Sequence, residues 1–235
     1  MYDKEMGLIL FYNSILYLVF MDVAATLSTQ FRALYHFTDL QIGLCFLPYG
    51  FGCCVATVAQ GYVLDWNYRR VARKIGFTIS RKRGDDLTNF PIEKARIQPI
   101  YPILAVGCLA VAAYGWTLQA KTSPAAPLVL QFLIGVCITG SFAILNTLIV
   151  DLSPKSPGTA TAAMNLVRCS VGAAGMAVVE SMIAGMGQGW CFAFLAILCA
   201  ALSPILWLVH RRGPAWRKQK LVKEQEKSQE KSNQA

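Results

Sequence analysis

The chain has 235 residues, 55% of them hydrophobic and only 15% charged, with a formal net charge of +9. A soluble domain usually carries about 25% charged residues, and here the apolar residues fall in long runs rather than alternating with polar ones. An ordinary soluble domain is therefore excluded. The positive charge is concentrated in one loop and one tail, a pattern of basic segments flanking membrane spans rather than of a nucleic-acid surface.

Six apolar runs are long enough to cross a bilayer, which takes roughly 20 residues each. They predict an all-α membrane bundle over residues 1–209, with spans at about 7–29, 41–64, 100–118, 128–150, 158–184 and 190–209. The first span is unusually polar, with Asn13, Ser14, Asp22, Thr26 and Ser28. Asp22, Thr26 and Thr29 recur at helical steps and could line an aqueous path; the plainer reading leaves Asp22 solvated near an interface. The second span is interrupted by Pro48, Gly50 and Gly52, residues that kink spans or let helices approach closely.

The loop at 65–98 holds nine Lys/Arg against four Asp/Glu. It is short enough for the positive-inside rule, so it is expected to be cytoplasmic, with a short interfacial helix over 71–77. The third span is nearly free of polar side chains. The fourth contains Gln131, Thr139, Ser141 and Asn146, and ends at a polar break formed by Asp151, Pro154, Lys155 and Pro157. The fifth carries Asn165, Arg168 and Glu180, and the sixth is almost wholly apolar. The tail at 210–235, with eight Lys/Arg against three Glu, is expected to be disordered. With both basic segments inside, both chain ends are cytoplasmic.

Arg168 lies about 15 Å into its span, near the bilayer middle, at 1.5 Å per residue. A charge there costs at least a few kcal/mol, so it should face a protein partner or a wet cavity. It reads either as a cavity charge for a substrate anion or as a structural partner of Asp22 or Glu180. Thr161 and Asn165 share its helix face, and Gly172 and Gly175 continue that stripe with small residues. Asp22 and Glu180 are candidates for proton coupling, because a carboxylate in a low-dielectric cavity can exchange a proton during a transport cycle. The eight cysteines lie within apolar runs without metal-ligand spacing. Neither HExxH nor GxSxG occurs, and the two histidines, His36 and His210, lie outside the span centres. No metal, cofactor or catalytic residue is expected.

These residues carry a family resemblance. Asn146-Thr-Leu-Ile-Val-Asp151-Leu-Ser-Pro154 and Ala160-Thr-Ala-Ala-Met-Asn165-Leu-Val-Arg168 resemble the tenth and eleventh spans of fungal major facilitator drug:proton antiporters, closest to the twelve-span quinidine and multidrug resistance branch. Gly172-Ala-Ala-Gly175 and Gly189-Trp190 are similar to that branch as well. Gly61, Asp65 and Arg70 match the superfamily loop motif G-x-x-x-D-(R/K)-x-G-x-(R/K)-(R/K), whereas Trp66, Tyr68 and Val71 depart from it.

The resemblance implies the C-terminal six-span half of a fold built from two pseudo-symmetric halves, with the substrate site between them. On that pattern the first, second, fourth and fifth spans line the cavity, with Arg168, Asn165, Asp22 and Thr161 as its candidate residues. Gly61, Asp65, Arg69 and Arg70 would form a cytoplasmic latch, or act only as a basic cluster that fixes topology. The implied partners are a small-molecule substrate, protons, the lipid bilayer, and either a missing N-terminal half or a second copy, with no nucleic acid. The implied location is the plasma membrane. The competing expectation is a truncated, non-transporting membrane protein that pairs with another chain.

Overall fold

The computed structural model describes residues 4–75, 96–153, 156–213 and 215–216. Of the tail expected to be disordered at 210–235, residues 210–213 instead continue the last helix, and 217–235, like the loop interior at 76–95, lie outside the described residues. Six helices follow one another: α1 (Lys4–Tyr35), α2 (Asp39–Ile75), α3 (Ile100–Gln119), α4 (Ala125–Asp151), α5 (Pro157–Met186) and α6 (Gln188–Leu202). Each is long and apolar enough to cross a membrane, α6 through its continuation to Gly213. No strand occurs among the described residues. The expected all-helical, six-span class is what the chain adopts.

The prolines explain where helices begin. Pro157 stands at the first position of α5, and Pro99 and Pro124 cap α3 and α4. A missing N–H costs nothing there, because the first turn has no acceptor for it. Pro48 is the exception, sitting inside α2. Between α5 and α6 the chain reverses at Gly187, whose φ of +84° favours glycine.

The second helix runs further than its apolar stretch. Residues 65–75, expected to begin the loop, continue α2 without interruption. No proline or paired glycine breaks this stretch, and Arg73 and Lys74 in the last turn suit the negative end of the helix dipole.

In a bilayer, apolar faces gain nothing by leaving lipid for protein, so helices associate through close packing and buried polar contacts. α1 and α4 form the centre. Half of the apolar stretch of each is buried, against 11% for α5. α2 lies along α4, α5 lies along α1, and α3 pairs with α6. Where α2 crosses α4, Gly52 meets Gly135. A Cβ on Gly52 would come within 2.5 Å of the Phe132 carbonyl oxygen, and one on Gly135 within 2.6 Å of that of Tyr49. The two backbones touch because neither residue has a side chain.

The α3–α6 pair uses the same device, with Gly115 against Phe192 and the Gln188 carbonyl. It adds a hydrogen bond from the Gly189 N–H to Gln119 Oε1 at 2.8 Å. Trp116 and Trp190 meet edge to face near its end.

Candidate functional site

Arg168 sits on α5 where that helix faces both central helices. Its guanidinium lies 5.1 Å from the Tyr17 ring centroid on α1 and 5.3 Å from that of Phe142 on α4. Those two rings are 5.7 Å apart. Phe20 and Tyr49 extend the aromatic run toward α2, with centroid spacings of 6.1 Å from Tyr17 to Phe20 and 5.3 Å from Phe20 to Tyr49. The Tyr49 hydroxyl donates to the Phe20 carbonyl at 2.9 Å and fixes that end of the run. A cation over an aromatic face is worth about 0.5–2 kcal/mol. Two such contacts therefore approach the cost of roughly 2.5–3.5 kcal/mol for an arginine at mid-span.

The pairing considered for Arg168 is not the one adopted. Neither Asp22 nor Glu180 binds it. Nε is buried without a hydrogen-bond partner, and among the described residues the guanidinium has no acceptor. Glu180 is exposed and accepts a hydrogen bond from the Thr29 hydroxyl at 2.8 Å. Asp22 is 2% exposed and Thr26 fully buried, its hydroxyl donating to the Asp22 carbonyl at 2.7 Å, which goes against both the solvated interfacial acid and the aqueous path along Asp22, Thr26 and Thr29. The Asp22 Oδ1 is buried and unpartnered, close beneath Gly175 of α5. Glu180 lies twelve residues along the same helix, about 18 Å from Arg168 at 1.5 Å per residue, and Tyr17 and Leu18 fill the space over Gly172 and Gly175.

The other residues of the α5 stripe behave differently from one another. Thr161 is half-buried and its hydroxyl donates back to the Pro157 carbonyl at 2.9 Å. Asn165, one turn before Arg168, is exposed on this bundle. Gly61, Asp65, Arg69 and Arg70 are exposed on the extension of α2, away from the Arg168 site. Arg70 stacks over Trp66 at 5.3 Å. Among the described residues no cluster of His, Cys, Asp or Glu could hold a metal.

Two polar links went unnoticed in the sequence. Asn13 donates to Asn146 at 3.0 Å, joining α1 to α4. Arg96, just before α3, bonds Asp151 at the end of α4, with Nε and Nη2 3.1 and 3.0 Å from one carboxylate oxygen. Each residue was legible as a polar group; the choice of partner was not, because spacing within one helix does not say which helix lies opposite.

A six-span helical membrane bundle with an arginine set among aromatic rings is the kind of unit from which transporters are assembled. The comparisons narrow that class. No family model matches the chain. It is 39% identical over 210 residues to the MFS-type transporter phiL of a fungal species, covering 87% of this chain and 50% of that one. It is 34% identical to the MFS-type transporter tstD of Talaromyces stipitatus, covering 85% of this chain and 36% of the other. With citrate exporter 1 of Aspergillus niger it shares 35% identity, over 92% of this chain and 42% of the other. The chain thus spans about half, or less, of the length of these relatives. It is homologous to fungal transporters of the major facilitator superfamily and has the fold of one six-span half of them.

Proposed function

We propose that the chain is the C-terminal half of a proton-coupled exporter of small organic molecules, acting by alternating access between two six-span bundles. The observation that carries this reading is Arg168: a cation without a counter-charge, set among half-buried rings in a chain homologous to named transporters. A charge without a counter-ion in a span is rare, and such residues mark substrate or ion pathways. Asn165 and Thr161 extend the path along α5. Asp22 is the proton carrier, a buried carboxylate with one oxygen free of protein partners. Glu180, bonded to Thr29, hands protons on at the far end.

On this reading the membrane is the plasma membrane, and the basic loop and tail lie with both chain ends in the cytoplasm, as the positive-inside rule favours. Gly61, Asp65, Arg69 and Arg70 on the α2 extension then latch onto the partner bundle when the path closes inward. That partner is a first-half bundle or a second copy of this chain.

The test is transport in proteoliposomes under an imposed pH gradient, using citrate and a cationic dye, with this chain alone and with a first-half bundle from a relative. Gradient-driven transport in either preparation is the expected result. None in both would leave a non-transporting membrane protein.

A further inference from the structure

We propose that the Arg168 site takes an organic carboxylate, and that its cargo is anionic rather than cationic; this rests on the exporter reading for its consequence, but not for its test. The geometry divides the guanidinium into used and unused parts. Tyr17 and Phe142 lie on one side of it, with centroids 5.1 and 5.3 Å from its carbon and 5.7 Å from each other. Aromatic rings satisfy the charge in part but accept none of the N–H bonds in the guanidinium plane. That plane is what a carboxylate matches, with two oxygens against a fork of donors.

The same chain shows the fork used elsewhere: Arg96 directs Nε and Nη2 at Asp151. Arg168 has no such acceptor among the described residues, and its Nε is buried and unpartnered. Leaving a buried donor unmade is costly, more so for a charged one. Nε has no open surface, so the donors an acid can reach are the Nη groups, which likewise have no acceptor among the described residues.

The surroundings favour the same ligand. Asp22 is the nearest carboxylate along α1, but it is shut into the α1–α5 crossing beneath Gly175. Glu180 is further along α5 and already bonded to Thr29. A ligand at the half-buried rings therefore meets a positive group first. Tyr17, Phe20 and Phe142 are each half-buried, so their open sides offer a surface for the carbon body of the acid. A cationic drug would meet the same rings but also an unneutralised guanidinium.

The experiment is ligand binding to the chain in lipid nanodiscs, read by calorimetry and by the shift in melting temperature, with benzoate, citrate and the cationic dye rhodamine 6G as probes. Wild-type chain is expected to bind at least one carboxylate and to melt higher in its presence. Arg168→Gln should weaken that binding about tenfold or more, and Arg168→Lys, which keeps the charge but not the planar fork, should fall between. Without ligand, Arg168→Gln should melt no lower than wild type, since it removes an unsatisfied charge.

The proposal is overturned if neither carboxylate binds, if Arg168→Gln binds them unchanged, or if rhodamine 6G binds wild type more tightly than both. It is overturned equally if Arg168→Gln melts lower than wild type and no carboxylate shifts either protein, which would make the arginine structural glue. Binding is read without transport, so a chain that binds carboxylates and moves nothing, alone or with a first-half bundle, would sink the exporter reading and leave this one standing.

Discussion

The α2–α4 and α1–α5 crossings both use glycine, to opposite ends. At the first, Gly52 and Gly135 let two backbones meet, with the Cys53–Thr139 contact at 3.3 Å beside them. At the second, Gly172 and Gly175 leave room for side chains: Tyr17, Leu18 and Asp22. One crossing is a fixed seam; the other holds a buried acid and borders an unpaired arginine. The lesson is that a small residue in a span does not by itself say whether helices lock or a site opens. What it faces decides.

If the first crossing is a seam, filling it should be the most damaging change in the molecule. Gly135→Leu drives a side chain into the Tyr49 carbonyl and the Gly52 backbone, and overpacking against rigid neighbours costs at least about 1–3 kcal/mol. Loss of monodisperse protein in size-exclusion chromatography is the expected outcome. Gly172→Ala at the other crossing meets the Tyr17 ring at 3.0 Å and Met21 at 3.8 Å. It should fold, melt slightly lower, and disturb the Arg168 contact.

The second-largest effect belongs to function. Arg168→Gln should cut transport about tenfold or more while leaving expression and melting near wild type. Asp22→Asn keeps the shape of the side chain but cannot release a proton at accessible pH. It should abolish dependence on the pH gradient while substrate exchange without a gradient persists. Exchange lost together with coupling would assign Asp22 to packing instead.

Smaller still is the Asn13–Asn146 link. A double-mutant cycle with Asn13→Ala and Asn146→Ala should give a coupling of roughly 0.6 kcal/mol, the usual size for such bonds within membranes. The exposed Thr29–Glu180 bond should register least, with Thr29→Val leaving the melting temperature unchanged within error.

The contrast between the crossings also marks how far reading the chain could go. Span number and type followed from run length and from the charge gap between apolar and polar stretches. Arg168 stood out because only hydrocarbon was expected around it. Its aromatic partners did not, since Tyr17 and Phe142 look like ordinary apolar residues of their own helices, on elements far apart in the chain. Arg96 and Asp151 were likewise visible only as loop and break residues. The extension of α2 through 65–75 was missed because hydropathy marks where a helix leaves the lipid, not where its hydrogen bonds end.

The account turns on α5 presenting an aqueous face at Asn165 while α3 presents a lipid face. Cysteine accessibility measures that directly, in a chain whose eight native cysteines are replaced by alanine. Asn165→Cys and Leu109→Cys place a thiol on two exposed positions, Leu109 being 72% exposed on α3. A hydrophilic, membrane-impermeant maleimide is then applied to the chain in membranes. Labelling at 165 and none at 109 is the predicted result. Equal silence at both positions would mean that α5 faces lipid, and the polar path proposed here would not exist.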